Sequence, residues 1–455
     1  MFGHTGVLSL ALPFLVGRVV GQTGIQLDVS STDSIKSAAK SLAGGIVSFY
    51  NETLQKDLTL GLFPDPYYWW EAGIVFNALI GYSYLTGDSQ YDSLISEALQ
   101  HQIGDHDAFM PPNQTKTLGN DDQSSWGLAA MTAAEVGFPK PANLNWIDLV
   151  VNVWNTQAER IDYATCGGGL KWQIFTFNNG YNYKNSMSNG NFFLLSARLA
   201  KFTGNSTYTQ YANQIYKWSN DIGLVSDFHV FDGADDKKNC SQVNHIQWTA
   251  AHGVYTEGAA LMFNMTGAQN WTDTVNGFVN ASSVFQATKD NPVIIETACE
   301  NNGKCDVDQR AFKGIFARTM ARAALAAPFA SGTISKILSA SAQGAVSVCT
   351  SGGKPSCSLS WADADSKWEQ ASASDGNLGE VYDALEVVQG LLYPSAKSLQ
   401  TANGGGSSSS SSATQSGGAS RSSGASSPQN TGAAGTIAVS LISVLVVAIA
   451  AMCSV

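Results

Sequence analysis

The chain has 455 residues, of which 44% are hydrophobic and only 13% charged, and it carries a net charge of −11. That apolar share supports a sizeable core. No basic block is present, which excludes an electrostatic nucleic-acid binder, since such proteins cluster Lys and Arg to neutralise phosphates.

The N-terminus opens on a short apolar run, residues 7–16, that ends near Val19, Val20 and Gly21. It is too short to cross a bilayer, and polar sequence follows at once. Residues 1–21 therefore read as a secretory signal peptide, with a buried first helix as the other reading. Residues 22–400 are expected to form one large domain. Apolar residues recur there at helical spacing over 34–50, 70–85, 90–103, 123–136, 145–161, 188–202, 208–222, 249–265, 270–285, 309–326, 334–347 and 379–392. Strand-like alternation is confined to short pieces such as 170–177.

A hinge recurs between helices. Leu85-Thr86-Gly87-Asp88 is followed by Tyr91, Phe202-Thr203-Gly204-Asn205 by Tyr208, and Met265-Thr266-Gly267-Ala268 by Trp271. Gly suits the left-handed residue just past a helix end, and the aromatic can pack back on its own hairpin. Repeated helix–Gly–helix units imply six hairpins, arranged as an open solenoid or a closed (α/α)6 toroid. One disulfide-bearing domain without capping repeats favours closure. The fold class expected is all-α, an (α/α)6 barrel with a cleft at one end of its inner helices.

Loops running into helices carry the polar chemistry. Gly119-Asn120-Asp121-Asp122-Gln123 leads to Trp126. Two adjacent carboxylates ionise together only at a cost, so one is driven toward the neutral acid while a helix N-terminus favours the other as carboxylate. Glycoside cleavage needs that split; helix capping is the plainer account of the same residues. Tyr67-Tyr68-Trp69-Trp70-Glu71 offers aromatic faces for sugar rings, or core packing. Asn189-Gly190-Asn191 offers amides to sugar hydroxyls, or a turn. His245-Ile246-Gln247-Trp248 precedes the helix carrying Tyr255 and Glu257. Asp232, Asp235 and Asp236 lack an EF-hand pattern and read as a solvated acidic loop rather than a calcium site. No motif calls for a metal or another cofactor.

Of the seven cysteines, Cys453 lies near the C-terminus. The short spacings favour Cys299–Cys305 and Cys349–Cys357, which leaves Cys166–Cys240, one of the 15 pairings that six cysteines allow. N-glycosylation sequons start at Asn51, Asn113, Asn205, Asn239, Asn264, Asn270 and Asn280. Residues 401–430 are a Gly/Ser-rich stalk, too polar to bury a core. Residues 431–455 end in an apolar tail. Small residues, a polar spacer and that tail form a GPI-attachment signal, with Ser423, Gly424 or Asn430 as candidate attachment site. The expected location is the extracellular face of the plasma membrane, GPI-anchored, or the cell wall.

Four tracts together carry a family resemblance: Trp69-Trp70-Glu71-Ala72-Gly73 through Leu85-Thr86-Gly87-Asp88; Gly119-Asn120-Asp121-Asp122-Gln123 with Trp126; Ser188-Asn189-Gly190-Asn191-Phe192; and Asp308-Gln309-Arg310-Ala311-Phe312-Lys313-Gly314-Ile315. They resemble glycoside hydrolase family 76 across nearly all of residues 25–395, and with the GPI signal its fungal cell-wall mannan endo-1,6-α-mannosidase group. The resemblance implies an (α/α)6 barrel and retaining action on α-1,6-mannosidic bonds. It implies Asp121 as nucleophile and Asp122 as acid/base, with sugar subsites lined by Trp69, Trp70, Gln123, Asn189, Asn191, Gln247, Trp248 and Lys313. The implied substrate is α-1,6-mannan or the GPI-core glycan, with a β-glucan acceptor where transglycosylation replaces hydrolysis. One departure is Ala250-Ala251, where relatives carry a Tyr-Asn pair. It motivates the rival reading of a catalytically silent mannan-binding surface protein.

Overall fold

The computed structural model describes residues 24–55, 59–363 and 377–402. The signal-peptide region, most of the stalk and the candidates Ser423, Gly424 and Asn430 lie outside them. Twelve α-helices form among the described residues, one for each predicted segment: α1 Thr32–Leu54, α2 Trp69–Thr86, α3 Asp92–His101, α4 Asn120–Val136, α5 Trp146–Glu159, α6 Ser186–Thr203, α7 Ser206–Asp221, α8 Thr249–Thr266, α9 Gln269–Ala281, α10 Phe312–Ala326, α11 Ser331–Ser347 and α12 Leu378–Gly390. Helix α4 begins earlier than its apolar pattern, at Asn120. Helix α10 begins later, because Gln309–Ala311 forms a 3-10 turn.

The even-numbered helices touch in the closed cycle α2–α4–α6–α8–α10–α12–α2, and the odd-numbered ones pack outside them. This is an (α/α)6 barrel. The sequence shows why the two sets separate. Helix α8 is buried along nearly its whole length, whereas α7 buries only a stripe of Tyr208, Ala212, Ile215, Trp218 and Ser219. Small residues let the inner helices approach. A Cβ at Gly253 of α8 would meet Thr319 Oγ1 at 2.3 Å and the Phe316 Cα at 3.0 Å.

Gly87, Gly204 and Gly267 end α2, α6 and α8 in the left-handed region, with φ of 79°, 72° and 62°. Of the aromatics beyond them, one packs back on its hairpin as expected and two reach a neighbouring outer helix. Tyr91 returns to Tyr82 of its own hairpin, at 6.1 Å. Tyr208 instead meets Trp154 of α5 at 4.7 Å, and Trp271 meets Tyr216 of α7 at 5.0 Å. These two tie one outer helix to the next.

Inside the ring, toward the C-terminal halves of the inner helices, ion pairs replace apolar filling. Glu135 of α4 accepts from Arg198 of α6 and Arg322 of α10, each at 2.7 Å. Arg322 also reaches Glu257 of α8 at 2.6 Å. Arg318 of α10 pairs with Glu386 of α12 and donates to Asn77 of α2 at 2.6 Å. All six inner helices are joined. Across the same end runs the last described stretch of chain: Gln400 N–H donates to the Glu135 carbonyl at 2.6 Å, and Ala402 N–H to the Phe202 carbonyl at 2.9 Å.

Strands are short. β1 Tyr183–Asn185, β4 Gly233–Asp235 and β5 Val243–Asn244 form an antiparallel sheet in the order β1-β4-β5, with Asn185 opposite Gly233. Two ribbons, β2 Val225–Ser226 with β3 His229–Val230 and β6 Gln286–Thr288 with β7 Asn291–Ile294, complete the set among the described residues. Residues 170–177 are not a strand; they contribute only a bridge between Gln173 and Gly119. The disulfides are Cys166–Cys240, Cys299–Cys305 and Cys349–Cys357, the pairing favoured by spacing. All seven sequon asparagines are exposed, although Asn264 donates through its amide to Ala326 O at 2.9 Å.

Candidate active site

Each outer helix returns the chain antiparallel, so the inner helices run parallel and their N-termini gather at one end. There the positive ends of six helices favour negative charge. Asp121 and Asp122 occupy the first turn of α4 at that end, both partly accessible. The turn is fixed from behind: Asn120 N–H and Nδ2 donate to the carbonyls of Trp172 and Lys171, both at 2.8 Å, and Arg160 Nε donates to Asn120 Oδ1 at 2.9 Å.

The two carboxyl groups have unequal partners. Asp121 Oδ2 accepts from Asn185 Nδ2 at 2.8 Å, and its Oδ1 from the Asp122 N–H at 3.0 Å. Asp122 Oδ2 accepts only the Gly119 N–H, at 2.6 Å. That last bond is the N3 half of a capping box, the other half being impossible for a side-chain-free Gly119, so the capping and acid–carboxylate readings describe one arrangement. A Cβ at Gly119 would meet Asp121 Oδ1 at 2.4 Å and Asp122 Oδ2 at 3.1 Å. Both oxygens thus crowd one glycine, close enough for each carboxyl group to feel the other's charge.

Burial pushes Asp121 up to about 6; the hydrogen bonds from Asn185 and the backbone oppose it, and the charge of Asp308 adds to it. Asp122 is pushed well above the ordinary range, first by burial and then by the Asp121 charge, with the Gly119 N–H opposing. Asp121 is therefore the carboxylate of the pair and Asp122 the neutral acid.

Asp308 is the residue that sequence reasoning passed over. It sits in the turn before α10, where Trp70 Nε1 donates to its Oδ1 at 2.8 Å. Burial raises it to about 6, against that bond and with Asp306 adding. The available signal was its position at the head of the Asp308–Ile315 tract. A cavity of about 270 Å³ opens on this side, lined by Tyr67, Asp306, Val307, Arg310 and Glu380 among others.

The remaining candidates divide. Trp70 and Trp248 are half-buried and flank Phe312 at the start of α10, at 6.2 and 5.7 Å. Trp248 Nε1 donates to Asp232 Oδ1 at 2.8 Å, and Gln247 Oε1 meets His229 Nδ1 at 2.9 Å. Asp232 is not a solvated loop acid, since it also accepts from Tyr183 and Asn244 at 2.6 and 3.0 Å. Trp69, Gln123, Asn189 and Lys313 require correction as sugar contacts, because all four are buried and bonded within the protein. Trp69 stacks on Trp126 at 5.3 Å and donates to Gln102 at 2.8 Å. Gln123 donates to Ala108 O at 2.8 Å and accepts from Gln157 and Arg160. Asn189 exchanges two bonds with Leu170 and donates to Asn185 O at 2.8 Å, so it holds the loop behind the pair. Lys313 pairs with Glu300 at 3.0 Å beneath Trp361. Asn191 is buried in α6, and Ala250 and Ala251 are buried at the start of α8, where they add no polar group to the cleft.

Comparison with known proteins agrees with this geometry. The model of glycosyl hydrolase family 76 matches residues 34–403. The chain belongs to glycosyl hydrolase family 76. Among curated family 76 relatives, the mannan endo-1,6-alpha-mannosidase DCW1 of Eremothecium gossypii is 39% identical over 87% of this chain and 89% of its own. A putative mannan endo-1,6-alpha-mannosidase of Schizosaccharomyces pombe is 40% identical over 84% and 86%. Among solved structures, Dfg5 from Chaetomium thermophilum in complex with glucosamine is 36% identical, with a TM-score of 0.77 over 83% of this chain and 94% of that one. An inactive variant of the α-1,6-mannanase GH76A of Salegentibacter in complex with α-1,6-mannotriose has a TM-score of 0.62 at 18% identity, covering 79% and 99%, a likeness of fold.

Proposed function

We propose that this family 76 chain is a retaining, endo-acting α-1,6-mannosidase or transglycosidase that works on cell-wall mannan or GPI-core glycan in fungal cell-wall biogenesis. The observation that carries the reading is the inequality of Asp121 and Asp122 across so short a gap. The names of the relatives supply the linkage. In the first step the Asp121 carboxylate attacks the anomeric carbon, the glycosidic bond breaks, and Asp122 gives its proton to the departing oxygen. In the second, Asp122 takes a proton from the acceptor hydroxyl as that oxygen displaces Asp121 from the anomeric carbon. Water as acceptor gives hydrolysis; a β-glucan hydroxyl gives transglycosylation. Neither step calls for a cofactor.

A signal peptide and a GPI anchor would hold this chemistry at the extracellular face of the plasma membrane or deliver it to the wall. The silent mannan-binding alternative gains no support, since binding alone needs no acid beside a carboxylate.

The test is to incubate the secreted protein with an α-1,6-linked manno-oligosaccharide, with and without a β-glucan oligosaccharide, and to read products by mass spectrometry. Shortened mannosides that disappear in Asp121→Asn support the hydrolase, and mannosyl–glucan adducts the transglycosidase. Mannan binding without product in either mixture, unchanged in Asp121→Asn, would establish the silent protein instead.

A further inference from the structure

Residues 171–182 expose two aromatic side chains, Trp172 and Phe177, that the carboxyl pair does not use, while Phe175 between them packs partly against the core. Phe177 is 68% exposed and Trp172 37%. Phe177 stacks on half-buried Phe175, with ring centroids 5.4 Å apart and planes inclined by only 13°. A flat apolar face left in water is costly unless something covers it.

The segment is tightly held. Trp172 N–H donates to Tyr183 O at 2.6 Å, Ile174 N–H to Leu118 O at 3.1 Å, and Asn178 N–H to Phe175 O at 3.0 Å. Asn178 Nδ2 fastens the turn to Thr115 O at 3.0 Å. Gly180, at φ 87°, brings the backbone against the Trp172 ring, where a Cβ would lie 2.3 Å from it. The aromatics are thus presented on an ordered backbone, which spares most of the ordering cost on binding.

The segment is also continuous with the reactive end. The Cβ position at Gly119 that touches both aspartate oxygens lies 3.2 Å from the Trp172 carbonyl. Its cation, Lys171, is paired with Asp236 and with Asp162, so the surface offers rings without an unpaired positive charge. A bilayer-seeking patch would need basic residues around it, whereas a neutral pyranose chain needs only flat apolar faces for its C–H surfaces.

We propose that Trp172, Phe175 and Phe177 form an aromatic ledge that binds hexose units of a neutral glycan chain beyond those held at Asp121 and Asp122. This rests on the glycosidase reading above. The test uses the full secreted chain carrying Asp121→Asn, titrated calorimetrically with α-1,6-mannohexaose, α-1,6-mannotriose and a β-1,3-glucan hexasaccharide. Adding Phe177→Ala is expected to weaken hexasaccharide binding about five- to tenfold, the size of one aromatic contact, and to weaken mannotriose binding less than about twofold. Phe177→Tyr should keep the wild-type affinities. Equal affinities with and without Phe177→Ala, or equal loss for long and short chains, would overturn the ledge while leaving the glycosidase reading intact. If the parent binds none of the three glycans and the native enzyme cleaves none, both readings fail together. Binding to neutral phosphatidylcholine vesicles that is lost in Phe177→Ala, in place of glycan binding, would assign the ledge to a membrane and refute the proposal.

Discussion

Asp308 shows how a single charge can tune a pair it does not touch through hydrogen bonds. Its negative charge raises both Asp121 and Asp122. Removing it eases ionisation of each, so both values fall. Cleavage requires Asp121 ionised and Asp122 protonated, hence a bell-shaped profile. Asp308→Asn should move both limbs of kcat/KM against pH to lower values, and limbs that stay in place would show that the charge is screened. Gly119 acts sterically. Its φ of −95° suits any residue, so Gly119→Ala should leave the melting temperature within a few degrees. Its methyl group would displace the two carboxyl groups, and kcat should fall about 100-fold, the usual cost of misplacement near 1 Å. The sequence pointed to Asp121 and Asp122 because charge pairing is local. It could not separate Trp70 from Trp69, or Asp122 from Gln123, since an inner helix is buried on every side and has no polar stripe to mark the cleft.

At the level of elements, the twelve helices and their glycine ends were legible because each obeys a local period or a local backbone demand. The sheet formed by β1, β4 and β5 was not. Strands of two or three residues carry no period, and their register comes from side chains far apart in sequence, such as Asp232 accepting from Tyr183, Asn244 and Trp248. That sheet presents Asn185, so one partner of Asp121 was invisible for the same reason. Helix closeness has its own signature in Gly253. Alanine is the better helix former by about 1 kcal/mol. Even so, Gly253→Ala should destabilise the protein by about 1–3 kcal/mol, because its methyl would press on the backbone of Phe316 as well as on Thr319. Denaturant unfolding measures this, and a gain in stability would mean that α8 and α10 can part freely.

Over the whole molecule, buried acids of opposite behaviour set the pH at which the barrel is firmest. Burial works to raise Glu135, but Arg198 and Arg322 outweigh it and hold the group down to about 2. Its stabilisation is complete above the ordinary Glu range and is lost as pH falls toward 2. Glu296 is the reverse. Burial pushes it up to about 8 despite two bonds from Thr249, so its contribution is complete below the ordinary Glu range and is lost as pH rises toward 8. Asp121, Asp122 and Asp308 act in the same sense as Glu296. The melting temperature should therefore peak in mildly acidic solution and decline between about pH 5 and 8, and Glu296→Gln should flatten that decline. A profile flat over this range in the unaltered protein would contradict the assignment.

The final described residues leave the barrel beside Glu135 and Phe202, at the C-terminal ends of α4 and α6, whereas Asp121 and Asp122 stand at the opposite pole. The last described residues thus seal part of the floor of the barrel and cover none of its mouth, so a polymer reaching the carboxyl pair does not have to pass them.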